Sequence, residues 1–223
     1  ELEDHLLRGS PLYNKRVLLT VDDAYASFYK HAWPILKREQ IPFVLFLNTR
    51  EVNSKHKNYM SWAQIREIHQ SGLGIIGHHS YSHDYMVGWD KEEIRKDLER
   101  ANMDFMRELG EIPAYFSYPF GEYGREFKEL VREMGFALAF GQHSGVMDSR
   151  KDLFELPRFP INENWGKADR FDNVQREPPW IEVEHHVREY KKIISGYFFS
   201  KVRRTRWKVK TIFILFCNSH LHT

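Results

Sequence analysis

Short runs in which every position is apolar alternate along this chain with longer stretches in which apolar residues recur every three or four positions. Arg16-Val17-Leu18-Leu19-Thr20-Val21 and Phe43-Val44-Leu45-Phe46-Leu47 are β-branched or aromatic runs of strand length. Leu73 to Gly77, Tyr115 to Tyr118, Ala137 to Phe140 and Leu156 to Ile161 continue the series. Runs apolar at every position predict strands covered on both faces. Between them, Tyr25 to Glu39 predicts a helix kinked at Pro34, which carries no N–H. Ser61-Trp62-Ala63-Gln64 has the capping-box pattern and predicts a helix that stops near Gly72. Asp90 and Glu93 predict the start of a long helix whose buried stripe is Ile94, Leu98, Ala101, Phe105 and Leu109. Arg125 to Met134 predicts a further helix, closed by Gly135.

Strands that alternate with helices predict an α/β domain with a parallel sheet. No internal repeat and no low-complexity linker interrupts the pattern, which fades after about Asn164 and is broken at Pro178-Pro179. The expected organisation is one domain over 1–176 and a basic tail over 177–223, lying outside the sheet. Parallel architectures place chemistry in the loops that leave the carboxyl ends of strands. The polar clusters sit there: Asp22-Asp23 after the first run, His78-His79 and His83 after the third, Pro119-Phe120-Gly121 after the fourth, and Arg158 beside the sixth.

Composition narrows this picture. The 223 residues, 42% hydrophobic and 15% aromatic, suffice for one sizeable core. No apolar run approaches the roughly 20 residues of a membrane span. A single cysteine, Cys217, excludes an internal disulfide and any multi-cysteine zinc site. The net charge of +2 hides an asymmetry: residues 185–223 are basic with one acid, Glu189, whereas residues 1–184 are net acidic. An acidic body argues against nucleic acid as the partner. The basic tail is suited to an anionic surface, although a solvated chain end is the plainer reading. The chain opens at Glu1 with no apolar leader, so no export signal is visible and a processed or incomplete chain is expected.

The candidate chemistry starts with Asp22-Asp23. Adjacent carboxylates at the end of an apolar strand repel each other and cost desolvation. Taken alone, they also fit an ordinary turn with a helix cap. His79 and His83, four apart, add two imidazoles; with one carboxylate they make a three-ligand site with open positions, as in hydrolytic zinc centres. His143, His185 and His186 have no such context and read as surface histidines.

"TVDDAY" at 20–25, "HSYSH" at 79–83 and "FSYPFGEYG" at 116–124 resemble, in order and in strand-end position, the first three motifs of polysaccharide deacetylases, the NodB-homology domain of carbohydrate esterase family four. The form "YPFG", with "LPRFPINEN" at 156–164, resembles the bacterial subgroup that deacetylates poly-N-acetylglucosamine. The resemblance implies a deformed, incomplete (β/α) barrel with a divalent metal, zinc above others. It implies Asp22 as general base, Asp23, His79 and His83 as metal ligands, Ser80 as the residue that steadies their loop, and the Phe120 backbone N–H as oxyanion donor. Tyr118, Pro119 and Phe120 would line the groove for an acetylated polysaccharide, in an extracytoplasmic setting.

Three departures accompany the resemblance. Ala24 stands where a glycine is usual. Ser117-Tyr118 occupies the region of an arginine that orients the aspartate, leaving Arg158 as the candidate orienter. No leucine-histidine motif supplies a general acid after the sixth run. In some relatives that histidine precedes the aspartate pair, so the acid is expected from sequence upstream of Glu1, with weak activity in its absence. The expected function is removal of N-acetyl groups with release of acetate. An O-acetyl esterase using the same site, and a non-catalytic glycan-binding remnant, are the alternatives.

Overall fold

The computed structural model describes residues 16–147, 152–161 and 212–217. Its centre is a run of five parallel strands, β1 (Arg16–Asp22), β2 (Phe43–Leu47), β3 (Gly74–His78), β4 (Tyr115–Ser117) and β5 (Leu138–Phe140), each hydrogen-bonded to the next. Helices α1 (Trp33–Arg38), α2 (Thr49–Asn53), α3 (Trp62–Gln70), α4 (Lys91–Leu109) and α5 (Arg125–Glu133) fill the connections. Short strands β6 (Val146–Met147) and β7 (Phe159–Ile161) follow, and β8 (Ile212–Cys217) lies antiparallel to β1. β8 also pairs with β6 and β7. Beyond β5, a single bridge between Phe140 and Leu156 carries the sheet on. The sheet therefore curls into an incomplete, deformed (β/α) barrel.

The pairing of β8 with β1 corrects the expectation that all of 177–223 lies outside the barrel. Ile212-Phe213-Ile214-Leu215-Phe216-Cys217 is apolar throughout, and its backbone satisfies the free edge of β1. The remainder of that tail, including His185 and His186, lies outside the described residues.

Alternation along the strands divides the core. Leu18, Val44, Phe46, Tyr115, Leu138, Phe140 and Leu156 pack together on one face of the sheet. Val21, Phe43, Leu45 and Leu47 turn to the other, under Trp33, Leu36, Ile65, Ile68 and Phe105 from the helices. Gly77 is required here, because a Cβ would meet the Phe46 ring at 2.3 Å. The capping boxes expected at Ser61/Gln64 and Asp90/Glu93 are both formed. Of the predicted stripe on α4, Ile94, Leu98, Ala101 and Phe105 are buried and Leu109 is partly buried.

The first helix departs from a simple kink. Residues Phe28–Ala32 form a π-helical turn that runs into α1, and the Trp33 N–H reaches back to the Phe28 carbonyl. Pro34, the next residue, has no N–H to give the preceding turn, which widens around it. Helix α2 has no periodicity of its own to announce it: five residues are too few to define a stripe.

Register is what makes this fold a platform. Asp22 pairs with Phe46, Leu47 with His78, His78 with Phe116, and Ser117 with Phe140. The carboxyl ends of β1 to β5 thus finish at nearly the same level, and the residues that follow each strand share one rim.

Leu98 is fully buried with Phe116, Phe127 and Leu130. Leu98→Ala is expected to cost about 2–5 kcal/mol, the range for a large-to-small core change. A urea-unfolding series gives the value; a cost below about 1 kcal/mol would mean that α4 is not packed as described.

Candidate active site at the carboxyl rim

Thr20 and Asp22 share one face of β1, and on that face lies Arg158, which is fully buried. Its Nη1 donates to Asp22 Oδ1 at 2.9 Å and to Thr20 Oγ1 at 3.1 Å. Its Nη2 donates to Asp22 Oδ2 at 2.9 Å and to Ser117 Oγ at 2.8 Å, and its Nε to the Gly141 carbonyl at 2.9 Å. Ser117 Oγ in turn donates to Asp22 Oδ2 at 3.3 Å. All five guanidinium N–H groups are used. Phe46 and Phe140 flank the guanidinium, with ring centroids 5.7 and 5.8 Å from Cζ.

Burial by itself would push the Asp22 carboxyl up. The Arg158 charge, the neighbouring His79 and the hydrogen bonds from Arg158 and Ser117 outweigh it and hold the pKa below the ordinary value. Asp22 is therefore a buried, ionised carboxylate fixed in one plane.

Asp23 follows in the left-handed region, at φ 73°, and Ala24 continues there at φ 53°. This turn swings the Asp23 carboxylate toward the histidines. Ala24 is fully buried and bears the Cβ that a glycine would lack. Asp23 Oδ1 stands 3.3 Å from His83 Nε2 and 3.6 Å from His79 Nε2. His79 Nδ1 donates to the Ser117 carbonyl at 2.6 Å, which leaves the Nε2 lone pair facing Asp23. Ser80, at φ 67°, accepts the His83 N–H on its hydroxyl at 2.9 Å.

These three side chains fit a divalent cation. Asp23 Oδ1 is buried and has no hydrogen-bond partner. One ligand atom from each of Asp23, His79 and His83 lies within 4.8 Å of the others. Ligand atoms around a tetrahedral ion bound at ~2.1 Å sit roughly 3.4 Å apart, close to the spacing of Asp23 from each histidine. The electrostatics agree. Burial, and then the Asp22 charge, raise Asp23 to about 7. Burial lowers His79 to about 3 and also lowers His83, so both imidazoles are neutral donors near neutral pH.

The third motif divides between core and rim. Phe120 has φ 60° and a half-exposed side chain, its ring 4.9 Å from that of His83 and 5.9 Å from that of Tyr85. Gly121 cannot be replaced, because at φ 72° a Cβ would lie 2.0 Å from Gln142 Cβ. Tyr118 corrects an expectation. With Ser117 turned to Asp22, strand alternation turns Tyr118 to the opposite face, where it is fully buried, stacks on Tyr123 and donates to the Phe154 carbonyl at 3.0 Å. Pro119 is buried as well. Of the three residues expected to line a groove, only Phe120 offers its side chain. His143 is exposed and borders an open cleft of about 450 Å³ with Val87, Gly121, Glu122, Tyr123 and Glu155.

Ser117 is the residue that sequence reasoning passed over. It touches Asp22, Arg158 and His79 at once. Its signal was only positional: a small polar residue ending an aromatic strand.

The class of fold and site is thus a curled parallel sheet with a buried Asp-Arg pair and an Asp-His-His cluster on its carboxyl rim. Residues 10–139 match the polysaccharide deacetylase family, and the chain belongs to that family. It is 25% identical over 197 residues to the poly-beta-1,6-N-acetyl-D-glucosamine N-deacetylase of Escherichia coli strain K12, across 70% of this chain and 29% of that protein. The protein of the same name from Staphylococcus aureus strain MRSA252 is 19% identical over 161 residues, across 67% of this chain and 56% of that protein. The chain thus spans less than two thirds of the length of these relatives. Among solved structures, IcaB from Ammonifex degensii is 31% identical, with a TM-score of 0.68 over 74% of this chain and 75% of that chain. The Streptococcus pyogenes deacetylase PplD, 20% identical, shares the fold with a TM-score of 0.67 over 72% of this chain and 70% of that one.

The raised Asp23 carboxyl would make metal uptake by this cluster pH-dependent. Below about 7 the metal-free site holds a proton on Asp23 that a cation must displace. Apparent affinity is expected to rise about tenfold per pH unit well below 7, by about fivefold from 6 to 7, and then to level off. Zinc titrations in buffers of different ionisation enthalpy count the proton released. Uptake without proton release at pH 6 would show that Asp23 is already ionised there.

Proposed function

We propose that this chain carries the catalytic domain of a metal-dependent deacetylase acting on the N-acetyl groups of a poly-N-acetylglucosamine-type polysaccharide. The observation that supports it most is the unpartnered Asp23 oxygen facing two neutral imidazole nitrogens beside an ionised Asp22. Asp23, His79 and His83 would hold the cation, with zinc the best match to one carboxylate and two imidazoles. When bound, it supplies Lewis acidity to a carbonyl oxygen and lowers the pKa of a nearby water.

The protein's own groups do the rest. Asp22 accepts the proton of the attacking water, and the Arg158 fork and Ser117 keep its carboxylate ionised and aimed. The His79 tautomer, set by the Ser117 carbonyl, keeps the Nε2 lone pair toward the ligand cluster. The Phe120 backbone N–H would donate to the carbonyl oxygen as negative charge develops; losing such a donor costs ~10²–10³ in rate. The exposed Phe120 ring, with Tyr85 beside it, offers an apolar surface to a sugar face. As the C–N bond breaks, the proton taken from the water returns to the leaving nitrogen, so the products would be acetate and a free amino sugar, in an extracytoplasmic setting suited to a polysaccharide substrate.

Acetate release from a β-1,6-linked N-acetylglucosamine oligomer, with and without chelator, tests the reading, and an O-acetylated glycan serves as the comparison substrate. Asp22→Asn is expected to keep zinc and lose ~10²–10⁴ in turnover, the usual contribution of a positioned base. His83→Ala is expected to lose most of the metal. A chelated protein as active as the zinc-loaded one, or wild-type turnover by Asp22→Asn, would sink the proposal.

A further inference from the structure

His79 emerges directly from β3, but His83 lies four residues on, in a segment that is neither helix nor strand. Backbone groups there need partners from outside the regular ladders. Every N–H from Ser80 to Asp84 finds one on a side chain. Ser80 donates to His78 Nδ1 at 3.1 Å, His83 to Ser80 Oγ at 2.9 Å, and Asp84 to Ser82 Oγ at 3.1 Å. The two at the centre go to a single carboxylate on a different element. Tyr81 donates to Asp97 Oδ1 at 2.9 Å and Ser82 to Asp97 Oδ2 at 3.1 Å.

The opposite side of the loop is held as well. The Ser80 carbonyl accepts from the Thr49 N–H at 3.3 Å, and the Tyr81 carbonyl from the Arg50 N–H at 3.0 Å, at the start of α2. The Tyr81 ring is covered by the Arg100 guanidinium, 3.8 Å from its centroid.

We infer that Asp97 is a positioning residue for the metal centre: from α4 it clamps the loop that carries His83. The inference rests on reading Asp23, His79 and His83 as metal ligands. Asp97 touches none of them and acts through the backbone. Two charge-assisted bonds from adjacent amides fix the midpoint of the loop, one on each carboxylate oxygen. Its own base is rigid, because the next residue, Leu98, is fully buried in the core. The loop pays for its unusual path in conformation: Ser80 and His83 are both in the left-handed region, at φ 67° and 54°. Such residues persist only where the surroundings over-determine them. With the clamp loosened, the His83 imidazole would no longer be held against Asp23. Outer partners of metal ligands typically contribute 10–100-fold in metal affinity.

Asp97→Asn is the test, because the amide can accept one of the two N–H groups but turns a donor toward the other. Zinc affinity, read by competition with a chromophoric chelator, is expected to fall by about 10–100-fold with the fold retained by circular dichroism. The Tyr81 and Ser82 amides should exchange faster with deuterium. Asp97→Glu, which keeps the charge and moves it by one methylene, is the second variant, with a smaller loss expected. Glu67→Gln is the structural control: Glu67 accepts from Trp33 and Lys37 on α1, away from the loop, and its change should leave zinc affinity and loop exchange unaltered. A folded Asp97→Asn protein binding zinc within about twofold of wild type would overturn the inference, as would an Asp97→Glu loss as large as that of Asp97→Asn. The exchange measurement needs no metal. If the wild-type protein bound no zinc, the deacetylase reading would fall, while unchanged Tyr81 and Ser82 exchange in Asp97→Asn would separately overturn the clamp.

Discussion

The buried pairing of Arg158 with Asp22 is the constraint around which the rest is arranged. Two charges removed from water are costly, and their attraction compensates only when the geometry is good and the remaining donors are satisfied. Here they are: the guanidinium reaches β1 through Thr20 and Asp22, β4 through Ser117, and the segment after β5 through Gly141. One side chain thereby ties together two strands distant in sequence and the segment that follows a third. The same bonds define the chemistry of the site. They keep Asp22 ionised despite burial, and that negative charge helps to raise the pKa of Asp23 beside it. Two neighbouring carboxylates are driven apart in proton affinity.

Rigid strands and strained turns divide the labour at the rim. In-register parallel pairing brings the strand ends level, so Asp22, His79 and Ser117 take their positions from the sheet. Asp23, His83 and Phe120 take theirs from backbone conformations that side chains ordinarily disfavour. Among the described residues, seven non-glycine positions have positive φ, and five of them are Asp23, Ala24, Ser80, His83 and Phe120. Strain of this kind, of order 1–3 kcal/mol per residue, accumulates where function requires a particular direction for a side chain or an N–H. The side-chain bonds around residues 80–84 are the counterpart of that strain, since the loop has no helix or strand ladder of its own.

Much of this protein was determined by its sequence alone. Uninterrupted apolar runs can be covered only in a sheet buried on both faces, and capping boxes can be satisfied only at helix starts. The five parallel strands and the helices α3 and α4 were therefore legible, as was the clustering of Asp22, Asp23, His79 and His83 at strand ends. These signals are local: each is written within a few neighbouring residues. What only the tertiary structure decided is non-local. Arg158, a candidate orienter on the resemblance alone, meets Asp22 across 136 positions, and Ser117 meets it across 95, contacts that no spacing encodes. Tyr118 belongs to the core because Ser117 faces inward, and the parity of a three-residue strand is set by its partners. Ile212–Cys217 joins the sheet because β1 offers an open edge. Asp97 looks in sequence like one more charged residue on an exposed helix face; it becomes a clamp only because α4 packs where the His83 loop passes.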